Sequence, residues 1–204
     1  MNANDRSTSE VVLGVLREHA GERMSLQDII DGLGERSFGF LLLLFGLLSA
    51  IAIVPGLATV SAIPLLFFGS QMVGGAKSPW LPAAIARHNF PRADLTAAIE
   101  RGLPIMRAVE RICRPRLLFL TGRFGERLLG LVVFILAIVI GLPGPGTNFF
   151  PGLAVAFMAI AIINRDGLLV LFGLVASVFA LYVAAWALAW LVTDVLPQVW
   201  NEIF

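Results

Sequence analysis

Apolar and charged positions along the chain fall into blocks. Three stretches hold no Asp, Glu, Lys or Arg: residues 37–76, 128–164 and 167–193, of 40, 37 and 27 residues. About 20 apolar residues span the hydrocarbon core of a bilayer, so each stretch is expected in a membrane. Residues 168–192 contain no proline and predict one spanning helix. Tyr182, Trp186 and Trp190 share a face of it at i, i+4, i+8, as interfacial anchors or as large packing side chains.

The first two stretches are broken, by Pro55-Gly56 and Pro64 in one and by Pro143-Gly144-Pro145-Gly146 and Pro151 in the other. Proline removes an amide donor and clashes with the preceding turn. The arms between breaks are short, and 13 to 15 residues at ~1.5 Å each reach roughly 20–22 Å, against a core of about 30 Å. The pattern predicts an all-α integral membrane protein with two helix-break-helix hairpins, re-entrant in preference to pairs of short tilted spans. The chain then reads as a single membrane domain over 1–204. It comprises amphipathic helices in 9–36, a first hairpin in 37–76, a basic amphipathic segment in 77–127, a second hairpin in 128–164 and a transmembrane helix in 167–193.

The two hairpins read as copies of one unit. Gly34-Glu35-Arg36 matches Gly125-Glu126-Arg127 at an offset of 91, Pro55-Gly56 matches Pro143-Gly144 at 88, and Pro64 matches Pro151 at 87. Repeated interrupted segments of this kind point to a transporter-type site.

Composition narrows the class. Hydrophobic residues make up 58% and charged residues 14%, and the mean hydropathy is +0.86, which excludes a disordered chain, a nucleic-acid-binding protein and an ordinary soluble enzyme. A single cysteine, Cys113, and two histidines leave no expected metal or cofactor site. Residues 83–127 carry nine arginines and four acids, so this segment and the N-terminus are expected on the cytoplasmic side. Ser25 with Asp28 marks a helix start in the N-terminal segment, and Pro104 marks another before Ile105, Met106, Val109 and Ile112, a face opposite Arg107, Arg111 and Arg114. Such a basic amphipathic helix lies on anionic lipid or caps the hairpin mouths.

No catalytic constellation, nucleotide loop or metalloprotease motif is present, so no enzymatic activity is expected. The candidate chemistry lies at the breaks, where helix ends leave backbone groups at membrane depth. Thr147 and Asn148 beside Pro143 and Gly144, and Thr59 and Ser61 beside Pro55 and Gly56, either cap the broken helices or help bind an anion. Arg36 and Arg127 each lead into an apolar arm. They are interfacial anchors or a pair that recruits a lipid phosphate. Gln71, inside an apolar arm, needs a hydrogen-bond partner across helices or in a cavity. Arg165-Asp166-Gly167 reads as a surface turn.

Ser25-Leu26, Gly34-Glu35-Arg36, Pro55-Gly56, Pro64 with Gln71, Pro79-Trp80-Leu81-Pro82, Asn148 with Pro151, and Arg165-Asp166-Gly167 occur in an order that resembles the ExoD family of bacterial exopolysaccharide-synthesis membrane proteins. The resemblance covers about residues 25–170 and implies a bacterial inner-membrane protein of exopolysaccharide production, without a molecular mechanism. Joined to the hairpins, it suggests binding or translocation of a lipid-linked saccharide or polyprenyl phosphate. The alternatives are a scaffold for polysaccharide biosynthesis proteins and an ion channel or antiporter. Membrane lipids are expected partners, and a homodimer is compatible with the short hairpins.

Overall fold

The computed structural model describes residues 7–18, 21, 23–51, 57–142, 147–195 and 197. In chain order these form α1 (Thr8–Glu18), β1 (Arg23–Ser25), α2 (Leu26–Leu33), α3 (Ser37–Ile51), α4 (Leu57–Val73), α5 (Ala83–Ala86), β2 (Asn89–Pro91), α6 (Arg92–Ile112), α7 (Arg123–Gly141), α8 (Phe149–Asn164) and α9 (Gly167–Trp190). The capping box expected at Ser25 is present: the Ser25 amide donates to Asp28 Oδ2 at 2.9 Å and the Asp28 amide to Ser25 Oγ at 3.1 Å. A 3₁₀ turn at Gly34–Arg36 joins α2 to α3, so helix runs almost unbroken through Leu26–Ile51. The single helix expected over 168–192 is α9.

The prolines behave differently from one another. Pro151 is the third residue of α8, in the first turn, where its missing N–H has no intrahelical partner to lose. Pro64 was expected to begin an arm but lies inside α4, which starts at Leu57. It removes one backbone bond, and packing of Ala62, Leu65, Phe68 and Met72, all buried, holds the helix across it. Pro104 likewise sits within α6, while Pro91 is the residue that precedes this helix. A two-stranded antiparallel ribbon, β1 with β2, ties the N-terminal helices to the segment before α6; three-residue strands leave too short an alternation to read from sequence.

The apolar helices pair antiparallel and crosswise. α3 lies on α8 and α4 on α7, so each apolar helix of residues 37–73 meets one of residues 123–164, and α9 packs outside α8. Glycines permit the close approach. A Cβ on Gly152 would stand 2.7 Å from the Ala50 amide nitrogen and the Gly46 carbonyl oxygen, and one on Gly130 would stand 2.5 Å from Met72 Cβ. Lipid supplies no hydrophobic drive between helices, so small residues that maximise contact do this work. Leu42, Leu65, Leu136, Val155 and Met158 fill the interior.

The outside of the bundle is apolar too, with Leu44, Ile51, Val60, Ile63, Val175 and Val178 exposed. Three helices, within Leu26–Ile51, Arg123–Gly141 and Gly167–Asp194, are long and apolar enough to cross a membrane, and Thr59–Val73 and Phe149–Asn164 are shorter apolar helices. Apolar surface inside and out points to a membrane protein. Edge-on ring contacts of Phe157 with Phe172 and of Phe150 with Phe179 align α8 with α9. From Phe179, α9 runs on to Trp190, about 16 Å beyond the start of α8. Tyr182, Trp186 and Trp190 on this extension all face outward, so packing within the chain does not explain them.

Candidate functional site

Charges collect at one end of the bundle, where α3 and α7 begin and α4 and α8 end. The three-residue turn before α3 places Glu35 there, and the first turn of α7 places Arg123, Glu126 and Arg127. The Glu35 carboxylate pairs with the Arg165 guanidinium, which joins the start of α3 to the turn between α8 and α9. Arg165 itself takes the left-handed conformation, φ 52°, that ends α8. The next two residues are not a simple surface turn. Asp166 is buried: its Oδ1 accepts from the Leu168 amide and caps α9, and its Oδ2 accepts from the Arg114 amide, both at 3.0 Å. The Gly167 amide donates to the Arg116 carbonyl at 2.8 Å, and a Cβ there would meet the Leu117 carbonyl oxygen at 2.5 Å. Arg165-Asp166-Gly167 is thus a junction of three elements.

Between the end of α4 and the start of α7 lies a recess of about 140 Å³. Lys77, Arg123 and Arg127 bring three cations to it, and Glu35 and Glu126 two carboxylates, over an apolar floor that includes Phe38 and Ile162. Arg127 lies flat over Gly75, where a Cβ would come within 2.6 Å of Nη2; Gly75 has φ +79°, so glycine suits both the backbone and the contact. With Glu35 engaged by Arg165, cationic groups outnumber the remaining carboxylate, and the recess is suited to a small anion such as a phosphate group.

Arg127 lines the recess and Arg36 does not. Arg36 points toward the N-terminal helix and donates from Nη1 to Thr8 Oγ1 at 3.2 Å, with Glu110 close enough to act on its charge. Gln71 finds its partner locally: Nε2 donates to the Trp80 carbonyl at 3.1 Å, and Oε1 accepts from the Trp80 amide at 2.7 Å. It therefore clamps the Pro79-Trp80-Leu81-Pro82 segment, with its partners there and not on a neighbouring helix.

The bend end is built differently. Ser61 Oγ and Ser49 Oγ lie 2.6 Å apart, buried, and tie α4 to α3. Thr147 is fully buried and its hydroxyl donates to the Leu142 carbonyl at 3.1 Å, with Asn148 Oδ1 3.4 Å away. Thr59 is exposed on α4. Pro55, Gly56, Pro143 and Gly144 lie outside the described residues. Arg127 and Thr147 stand at opposite ends of α7, roughly 20 Å apart along its axis. Lys77, Gly75 and Arg123 were not singled out from sequence. The signal was available: Lys77 and Arg127 are the charges that bound the facing ends of the two apolar stretches.

Comparison with known proteins bears on this arrangement. The family described as "Exopolysaccharide synthesis, ExoD" matches residues 8–186, a range that takes in the recess, Asp166 and every apolar helix nearly to its end. Protein ExoD of Rhizobium meliloti is 29% identical over 172 residues, 82% of this chain and 71% of that protein. An uncharacterized protein of Synechocystis, slr1875, is 28% identical over 164 residues, 79% of this chain and 77% of its own length. No solved structure matches. With the match extending over nearly the whole chain, this protein belongs to the ExoD family, which implies a role in exopolysaccharide synthesis.

Proposed function

We propose that the protein binds the phosphate-bearing head group of a lipid-linked intermediate of exopolysaccharide synthesis at the recess of Lys77, Arg123 and Arg127, and delivers it between the two hairpins without catalysing a reaction. The observation that carries this reading is the convergence of three cationic side chains where the end of one hairpin meets the start of the other. A polyprenyl phosphate fits that position, because its charge would rest on the guanidinium groups and its tail would lie along the exposed apolar faces beneath. The hydroxyls of Ser61 and Thr147 have local partners, which favours the charged end over the bends as the place of recognition.

Two features support the hairpin part of the proposal. Gly39 and Gly130, 91 residues apart as in the Gly-Glu-Arg match, press on Ala159 and on Met72. Those partners are 87 residues apart, the offset of Pro64 and Pro151. Such reciprocal contacts are what two copies of one unit would make on exchange. The extension of α9 by about 16 Å past the start of α8 supports hairpins that turn back within the bilayer. Arginines at the charged end favour its placement on the cytoplasmic face of a bacterial inner membrane.

The test is binding of a short-chain polyprenyl phosphate to the purified full chain in detergent micelles, followed by its movement across reconstituted vesicles. Arg123→Ala and Arg127→Ala are each expected to weaken binding about tenfold, near the ~1.5–3 kcal/mol of a hydrogen bond to a charged group. Arg36→Ala is expected to change it less than threefold. Absence of saturable binding, or equal binding by all three variants, overturns the reading. The scaffold alternative rests on α1 and α6, which lie against each other beside α3 and α8. It predicts loss of co-purifying polysaccharide-biosynthesis proteins when residues 8–18 are deleted.

A further inference from the structure

A second cavity lies away from the recess, beneath α6. Phe40, Leu43 and Leu47 of α3, Met106 and Val109 of α6, and Ile160 of α8 form a groove of about 180 Å³ whose walls are almost wholly apolar. Its polarity is graded. Thr8, Glu110 and Asn164 gather at the charged end, level with Phe40, where the Thr8 hydroxyl donates to the Ile163 carbonyl at 3.4 Å. Leu47 lies two turns deeper along α3, and is continuous with Leu44, Leu48 and Ile51, which face outward on the apolar surface of the bundle. On the other side Ile105 lines the groove and remains 69% exposed, so the cleft opens sideways.

The polar groups at its end are already engaged. The Glu110 carboxylate accepts from the Ser9 amide and, at 2.9 Å, from the Ser9 hydroxyl. The Asn164 amide donates to the Ile160 carbonyl at 2.9 Å. A peptide laid in this groove would leave its backbone donors and acceptors without partners, at a cost a hydrocarbon chain does not incur. A chain from the bilayer can slide in from the exposed side of α3. Arg107 and Arg111 lie on the opposite face of α6, away from the groove.

We infer that the groove beneath α6 holds one acyl chain of a membrane phospholipid, its head group at the polar end. This site is separate from the recess and does not depend on the function proposed for it.

The full chain purified in a mild detergent and exchanged with phosphatidylglycerol is expected to retain one lipid per chain in native mass spectrometry. Val109→Trp, which fills the groove, should lower that retention at least fivefold. Ile112→Trp, on the exposed part of the same helix, should leave it unchanged. Equal retention by both variants, or none by the unaltered protein, would overturn the site. A dimer lost on Val109→Trp would assign the groove to a second copy of the chain instead. A measurement on the unaltered protein guards against misfolding of the variant: phosphatidylglycerol carrying a diazirine in its acyl chain, added to the purified protein, should label peptides containing 40–47, 105–109 and 160–163. Label confined to α9 would overturn the proposal.

Discussion

The two ends of the bundle satisfy their polar groups with different side chains. At the charged end long or charged side chains join distant parts of the chain: Glu35 to Arg165, Asp166 to the Arg114 amide, Arg36 to Thr8. At the bend end short hydroxyls pair over smaller separations, Ser49 with Ser61 between α3 and α4 and Thr147 with the Leu142 carbonyl. The contrast follows from the surroundings. Polar side chains at membrane depth must be paired within the protein, because neither water nor lipid will do so, whereas near water long charged side chains keep capacity for a further partner. Short hydroxyls paired within the bundle are suited to holding helices together, and an end with several arginines and a lysine around a recess is suited to recognition.

The largest effect expected on that comparison comes from the helix crossing beside the bend end. Gly152→Leu places side-chain atoms where the Ala50 nitrogen stands at 2.7 Å from a Cβ, and should destabilise the bundle by about 3 kcal/mol or more. Thermal unfolding in detergent would show a lowered midpoint, and an unchanged midpoint would deny the close crossing of α3 and α8. Next is Asp166→Ala, which leaves the Arg114 amide without its carboxylate and removes the cap of α9. A loss of about 2 kcal/mol is expected in the same assay. Arg127→Ala should separate recognition from stability, with head-group binding weakened about tenfold and the unfolding midpoint moved by no more than about 0.5 kcal/mol equivalent. Equal losses of both would make Arg127 a structural residue. Ser61→Ala tests the opposite end and should cost only about 0.6 kcal/mol, the usual size of a hydrogen bond between membrane helices, with binding unaltered. Glu35→Gln, at an exposed ion pair, should cost between about 0 and 1 kcal/mol, and a larger loss would show that the pair does more than join a turn to a helix end.

Some features were legible because they depend on neighbours in sequence. The Ser25–Asp28 capping box, α9 as one unbroken helix, and the division into apolar stretches are local, and each followed from residue type and spacing. Proline was less reliable as punctuation. Pro151 stands in the first turn of its helix and Pro64 in the eighth position of its own, a difference invisible from the residue itself because packing against α7 carries α4 past the missing bond. The importance of Asp166 was equally hidden, since its partner amide lies 52 residues earlier.

Taken alone, the amino-acid order determined that this is an all-α membrane protein with charge confined to a few segments, because transfer free energy and helical hydrogen bonding are properties of the segment. The partners of those segments were decided only in three dimensions. Crosswise pairing of α3 with α8 and of α4 with α7 depends on glycines meeting backbone about 60 to 120 residues away, and it is this pairing that sets Lys77 beside Arg123 and Arg127 while turning Arg36 toward Thr8. Two arginines alike in sequence context thus receive different surroundings, because a guanidinium's role is fixed by what lies within a few ångströms of it.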